Sequence, residues 1–260
     1  MVGLGSKNST AKTTSCGRCR WKIEECQLSC RMSKFFNSTF LALFLKVEKP
    51  LTFDEFRPIS LCNCVYKIIS KIIALCIKPI LSRMISKEQF AFLSHRQIHE
   101  AIGTAQEVLH SIKTLSKKVV ILKIDLSKTF DRVSWSYIQL ILTQIGFPHP
   151  FINWIMCCFT SMSFSVLVNG AALGFFHTER WLRQGCPISP LLFLLIMEGL
   201  TRLLKNVRST GAMEGVSITD RIVLSHILFV DDVIIFLNGS FRDSSCFKSI
   251  LSLFCKATCM

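Results

Sequence analysis

The chain has 260 residues, half of them apolar, with 21 Phe and 31 Lys plus Arg against 17 Asp plus Glu, a net charge of +14 at pH 7. This is too apolar and aromatic for a disordered chain. Two classes remain: a folded protein that handles polyanions, or a membrane protein with positive loops. The membrane class fails on spacing. The uncharged stretch 133–178 is broken by Pro148, His149 and Pro150, the apolar run 190–197 stops at Glu198, and the run 227–237 carries Asp231 and Asp232 at its centre. No window offers the roughly 18 clean apolar residues a span needs. The first 36 residues lack the apolar core of a signal peptide, so an intracellular, non-secreted protein with no membrane partner is expected.

Composition changes once. Residues 1–36 are basic and rich in Cys and Ser, without a lasting helical or strand period, and read as a separate, poorly specified segment open to disorder. Residues 37–260 read as one domain. The 13 Cys fall below the density of a disulfide scaffold, and most sit in apolar runs, as reduced buried thiols do. Cys16, Cys19, Cys26 and Cys30 form a C-x2-C-x6-C-x3-C cluster. It matches no common zinc module and has no His beside it, so a structural zinc is the minor reading.

The predicted elements alternate. Residues 40–47 read as a short strand. Residues 65–84 have helical spacing, with Ile68, Ile69, Ile72, Ile73, Leu75 and Cys76 on one wide apolar face. A second helix is expected over 99–115. Residues 119–126 read as a buried strand ending on Asp125. Two helices follow, 135–145 and 151–159, joined through Gly146 and Pro148. Residues 164–168 and 174–182 read as a hairpin around Asn169-Gly170. A strong helix covers 190–207, with Pro near its first turn. Two strands, 222–230 and 233–237, flank an acidic turn at Asp231-Asp232. Helices mix with antiparallel hairpins, so the class is α+β.

The chemistry follows from the carboxylates. Asp125 alone reads as a strand-end residue, and Asp231-Asp232 alone as a solvated turn. Together, flanked by buried strands, adjacent carboxylates raise each other's pKa unless a cation compensates. If Asp125 lies on the neighbouring strand, the three suit Mg2+, with Mn2+ as a substitute. Mg2+ prefers oxygen ligands in an octahedron and gives up its bound water reluctantly. Two such ions about 4 Å apart stabilise the attacking and leaving oxygens of a phosphoryl transfer. A basic chain with such a site fits nucleotidyl transfer on a nucleic acid.

Six segments in order then resemble one family, the reverse transcriptase domain of non-LTR (LINE-type) retrotransposons, most like plant members. They are NSTFLALFLK (37–46) with FRPISLCNCVYKIISKIIA (56–74), EQFAFLSHRQIHEAI (88–102), KIDLSKTFDRVSW (123–135), SVLVNG (165–170), LRQGCPISPLLFLLIMEGLTRLL (182–204) and LFVDDVIIF (228–236). The resemblance implies reverse transcriptase-like fingers and palm, a small antiparallel sheet with packed helices. The thumb would be missing past Met260, as in a truncated copy. It implies an RNA-directed DNA polymerase working on an RNA template, a DNA primer and dNTPs. By position, Asp125 and Asp231 would ligate Mg2+ with Asp232 assisting, and Leu126 would offer its carbonyl. Phe130 matches the steric gate against a ribose 2′-OH. Gln184 and Gly185 would pack on the incoming nucleotide, while Arg96 and Arg57 would meet triphosphate or template phosphate. The bland readings stay open: Phe130 as a core aromatic, each Arg as a solvated surface residue, and the chain as a non-catalytic nucleic-acid-binding remnant.

Several residues depart from the family pattern. His95 stands where Gly is usual, Trp181 likewise, Cys186 where Asp follows RQG, Thr129 for Ala, and Val230 for Ala. Protein partners are not legible.

Overall fold

A computed structural model describes residues 32, 34–126, 128–219 and 222–260. The cluster Cys16, Cys19, Cys26 and Cys30, and most of the segment 1–36, lie outside them.

The chain enters through a short helix α1 (Lys34–Asn37) and strand β1 (Ser38–Leu45), then a 3-10 turn (Phe53–Glu55) and strand β2 (Phe56–Cys62). Helix α2 (Cys64–Met84) starts where the Asn63 side chain accepts the Val65 N–H at 2.9 Å, which satisfies one orphan donor of the first turn. It buries Tyr66, Ile69, Ile73, Ile77 and Leu81, spaced by three or four residues as one helical face requires. Helix α3 (Ile98–Thr114) buries only Ala101 and Val108. Strand β3 (Val120–Asp125) is followed by a one-turn helix α4 (Thr129–Arg132), then α5 (Trp135–Ile145), capped by Gly146 at φ 89°, and α6 (His149–Thr160). Strands β4 (Ser163–Val168) and β5 (Ala171–Ala172) precede the central helix α7 (Ser189–Ser209). Strands β6 (Val216–Thr219), β7 (Ile222–Leu224), β8 (His226–Phe229) and β9 (Asp232–Leu237) lead into α8 (Phe241–Thr258). Ser240 caps α8 by accepting the Asp243 N–H at 3.1 Å.

Residues 191–198 of α7 are buried all round, so this helix is the spine of the core, with α2, α5 and α8 packed on it. Its one interior charge, Glu198, accepts from the N–H and hydroxyl of Ser86, each at 2.9 Å, and from Arg202 at 3.2 Å. Burying Phe193 and Phe254 with no exposed surface contributes roughly 2–3 kcal/mol each.

The strands form sheets of order β2-β1-β4-β5, β3-β9-β8 and β6-β7. The α+β class holds, although β1 and β4 run parallel. Helix bounds differ from expectation by one or two residues, but four strand features differ in kind. Strand β2 forms despite Pro58, because β2 is an edge strand, where a missing N–H leaves no ladder partner unsatisfied. Strand β3 is also an edge strand, so Val120 and Ile121 are exposed rather than buried. The expected strand over 222–230 splits at Ser225, whose carbonyl accepts from the Phe236 N–H at 2.8 Å while β7 turns away to pair with β6. The expected strand over 174–182 does not form, and the hairpin partner of β4 is instead the two-residue strand Ala171–Ala172. After Leu173 the chain adds residues against Ser165 before Phe176 re-pairs with Phe164 through two 2.8 Å bonds, a bulge that ends the regular ladder. No described helix is long and apolar enough to cross a membrane.

Candidate active site

Strand β3 is held along β9 in a register that sets Asp125 opposite Asp232. Strand β8 runs back along the other side of β9 and ends at Phe229 opposite Asp232. The turn between β8 and β9 therefore delivers Asp231 beside the last residue of β3. Carboxylates 106 positions apart in sequence meet because the apolar alternation of β3 and β9 fixes the register; Ile124 with Val233, and Leu122 with Ile235, face the core.

Asp231 is half-buried, and its carboxyl titrates above the usual carboxylate range. Burial is the main cause, and the charges of Asp232 and Asp125 add to it. Asp232 is more open and lies 3.4 Å from the Lys123 ammonium, an exposed pair worth little to stability. Asp125 and Asp231 line one cleft of about 470 Å³, together with Leu126, Phe130, Gln184 and Arg57. Asp232 is not part of that lining. A second cleft of about 500 Å³, between α5, α7 and α8, is apolar and contains neither Asp125 nor Asp231.

The opposite wall brings charges that sequence reading had not singled out. Lys46, Asp54, Lys128 and Asp131 also line the cleft. Lys128 donates to Asp54 at 2.5 Å and holds its carboxyl below the usual range, and Lys46 donates to the Asp54 carbonyl at 2.8 Å. Burial pushes Asp131 up, against the pull of the Lys128 and Lys46 charges. Lys128 and Asp131 stand within the quoted motif around Asp125, which was the available signal. Lys46 and Asp54 reach the cleft only through the β1–β2 connection.

The floor is a set of locked aromatic and backbone contacts. Phe130 stacks on Phe193 with centroids 4.8 Å apart, and its carbonyl accepts the Leu182 N–H at 2.6 Å. The Trp135 indole donates to the Trp181 carbonyl at 3.0 Å, and Ser60 N–H donates to the Gln184 carbonyl at 3.1 Å. Gly185 sits at φ 94°, a left-handed backbone conformation that strains an L residue and favours glycine.

Arg96 is not brought to the cleft. Its guanidinium donates to the carbonyls of Ile85, Ser86 and Gln89 at 2.9, 2.6 and 2.7 Å, closing the loop after α2. Arg57 is exposed at the cleft mouth. A further positioning group is Gln89, buried, whose Oε1 accepts from the N–H groups of Val230 and Ala91, both at 3.3 Å. Its neighbours extend β8: Leu228 N–H donates to the Glu88 carbonyl at 2.8 Å, and Phe90 N–H to the Leu228 carbonyl at 3.0 Å. Only an interior Gln among apolar residues at 88–93 hinted at this.

Three departures from the family pattern share one feature. His95, Trp181 and Val230 have φ of 63°, 142° and 58°. Positive φ is natural to glycine and costs an L residue about 1–2 kcal/mol, most for a β-branched side chain. The turns at His95 and Trp181 do form, with strain in place of glycine. Trp181 offsets part of it by stacking on Phe164 at 4.8 Å.

As a metal seat, Asp125, Asp231 and the Leu126 carbonyl offer hard oxygen donors facing a polar cleft, and the mutual repulsion felt by Asp231 is what a cation would relieve. Among the described residues no three His, Cys, Asp or Glu side chains are placed to hold a metal ion together, so Asp125, Asp231 and Asp232 do not make the expected three-carboxylate seat. The donor set therefore fits a cation such as Mg2+ that binds through one or two carboxylates and completes its shell with water and phosphate.

The reverse transcriptase (RNA-dependent DNA polymerase) family model matches residues 47–258. The transposon TX1 uncharacterized 149 kDa protein of Xenopus laevis is 30% identical over 216 residues, 83% of this chain and 16% of that protein. The retrovirus-related Pol polyprotein from type-2 retrotransposable element R2DM of Drosophila melanogaster is 27% identical over 199 residues, 76% of this chain and 18% of that protein. The chain thus spans less than a fifth of either. Its fold resembles telomerase from Candida albicans in complex with a TWJ fragment of telomeric RNA, at TM-score 0.56 and 11% identity over 92% of this chain and 44% of that one. Apo telomerase from Candida tropicalis gives TM-score 0.57 at 10% identity over 86% and 43%. The chain belongs to the reverse transcriptase (RNA-dependent DNA polymerase) family.

Proposed function

We propose that residues 37–260 form the fingers and palm of an RNA-directed DNA polymerase that extends a DNA primer on an RNA template with dNTPs, and that the activity of this chain is impaired. The observation that carries the reading is the β3–β9 register, which sets Asp125 beside the Asp231 turn at a polar cleft. A plant source is part of the proposal and rests on the quoted motifs.

Asp125, Asp231 and the Leu126 carbonyl hold divalent metal, with Asp232 assisting from the rim. Held there, Mg2+ or Mn2+ would supply the positive charge that offsets the charge developing on the phosphoryl oxygens. Arg57 and Lys46 attract phosphate at the mouth, where Arg offers a paired-donor fork. Phe130, fixed by Phe193 beneath it, presents a rigid ring edge that leaves no room for a 2′-OH. Gln184 and Gly185 form the surface on which the nucleotide base lies, with the Gln184 backbone held by the Ser60 N–H. Impairment follows from positioning: misplacement of reacting groups by about 1 Å costs about 100-fold. The strained residues Val230 and Trp181 stand in the turn and the wall that do the positioning.

The test is primer extension by the purified chain with an RNA template, an annealed DNA primer, dNTPs and Mn2+, beside Asp231→Asn/Asp232→Asn. Weak extension that the double substitution abolishes is expected. Extension that survives it would refute the site. Absent extension with retained nucleic-acid binding would identify a non-catalytic remnant.

A further inference from the structure

Arg183 is the bulkiest fully buried side chain among the described residues. Its guanidinium lies over the Tyr66 ring, 4.2 Å from the centroid, and 5.4 Å from that of Phe164. Nη2 donates to the Asn37 carbonyl at 2.6 Å. Nε and Nη1 have no hydrogen-bond partner among the described residues, and no carboxylate there forms an ion pair with it. Arginine keeps its charge inside a protein, and a buried cation is strongly unfavourable unless a counter-charge and hydrogen bonds meet it. One carbonyl and two ring faces meet only part of that need.

The side chains around it are polar but neutral. Burial pushes the Tyr66 hydroxyl and the Cys62 and Cys158 thiols up, although Arg183 pulls each of them down. Position 186 reaches the same spot. The Cys186 N–H donates back to the Arg183 carbonyl at 3.4 Å, and its Sγ is 3.2 Å from the Tyr66 hydroxyl whose ring carries the guanidinium. A buried side chain at 186 thus reaches the hydroxyl end of the ring that Arg183 lies over.

We propose that position 186 is the seat of the counter-charge for Arg183, and that with Cys there this chain holds a buried cation without its anion. The consequence reaches the cleft. Arg183 ties the segment 182–185 to Asn37, Tyr66 and Phe164. It is a positioning residue for Gln184 and Gly185, and its anchor rests on one hydrogen bond from a group with five N–H donors. This inference stands whether or not the chain polymerises DNA.

The experiment is thermal unfolding of the full chain as it stands, Cys186→Asp and Cys186→Asn, each also combined with Arg183→Met. At pH 7.5, Cys186→Asp should melt about 4–10 °C above Cys186→Asn, the shift expected for a charge-assisted buried pair in a chain of this size. The advantage should shrink as pH falls through the carboxylate range, and in the Arg183→Met background Cys186→Asp should melt below Cys186→Asn. If Arg183→Met does not fold, the pH dependence of the Asp–Asn difference decides. Equal midpoints at neutral pH, a gain that persists without Arg183 or at low pH, or failure of Cys186→Asp alone to fold would each overturn the proposal.

Discussion

His226 makes a quantitative test of the packing between α7 and the β8 strand. It is buried, with Nδ1 2.9 Å from the Ser225 hydroxyl and Nε2 3.2 Å from the Thr201 hydroxyl. Two rotatable hydroxyls serve a neutral imidazole, one accepting and one donating. Burial pulls its pKa from 6.5 to about 4; Glu88 opposes the fall, and Lys205 and Arg208 reinforce it. Glu88 is itself paired to Lys205 at 2.8 Å, so its attraction for the imidazolium is largely spent. The folded value lies below the unfolded one, so between them the unfolded chain binds the extra proton. Stability is unaffected by this group above about pH 6.5, falls as pH drops toward 4, and levels off below. A difference of 2.5 units corresponds to about 3 kcal/mol. For a chain of this size that is about 6–12 °C in Tm. The assay is urea unfolding from pH 7.5 to 4, on the chain and on His226→Gln, which keeps a donor and an acceptor but cannot titrate. The difference between the two curves should open by about 3 kcal/mol across that window, because other titrating groups are shared. Parallel curves would refute the account of His226 as a buried neutral group.

Other outcomes follow from single contacts. Arg96→Met should cost about 2–4 kcal/mol in urea unfolding, because three backbone carbonyls at 85–89 lose their donor. It should leave the salt dependence of nucleic-acid binding unchanged; a shallower slope would show that Arg96 meets phosphate after all. Lys46→Ala with Arg57→Ala should reduce the slope of log K against log salt by roughly 1–2 in fluorescence titrations of single-stranded RNA, and an unchanged slope would remove the cleft mouth from the binding path. Gly239→Ala should destabilise by about 1–2 kcal/mol, since φ is 78° and the new Cβ would lie 3.1 Å from the Lys118 carbonyl; a neutral result in calorimetry would contradict this turn. Gln89→Leu should weaken Mn2+ binding by Asp125 and Asp231, read by paramagnetic relaxation, because the Val230 N–H loses its acceptor; unaltered binding would show that the turn holds itself.

The sequence by itself determined five of the helices, the α+β class, and Asp125 and Asp231 among the carboxylates of the cleft. The apolar spacing of 64–84, 98–114 and 189–209 needs no partner to be read, since a 3.6-residue period is a local property of the chain. Glycine's preferences were legible too: His95 and Trp181, noted as replacing glycine, both sit at positive φ. Pairing was not legible, because alternation says which face a residue takes but not which strand it meets. So the split at Ser225, the strand over 216–219 and the bulge after Leu173 emerged only with the sheets. Long polar side chains were decided last. Arg96, Arg57 and Arg183 read alike as basic residues within motifs. Tertiary structure alone spends the first on three carbonyls, leaves the second at an open cleft, and encloses the third between two rings, because a guanidinium's role is set by which acceptors the folded backbone brings within its reach.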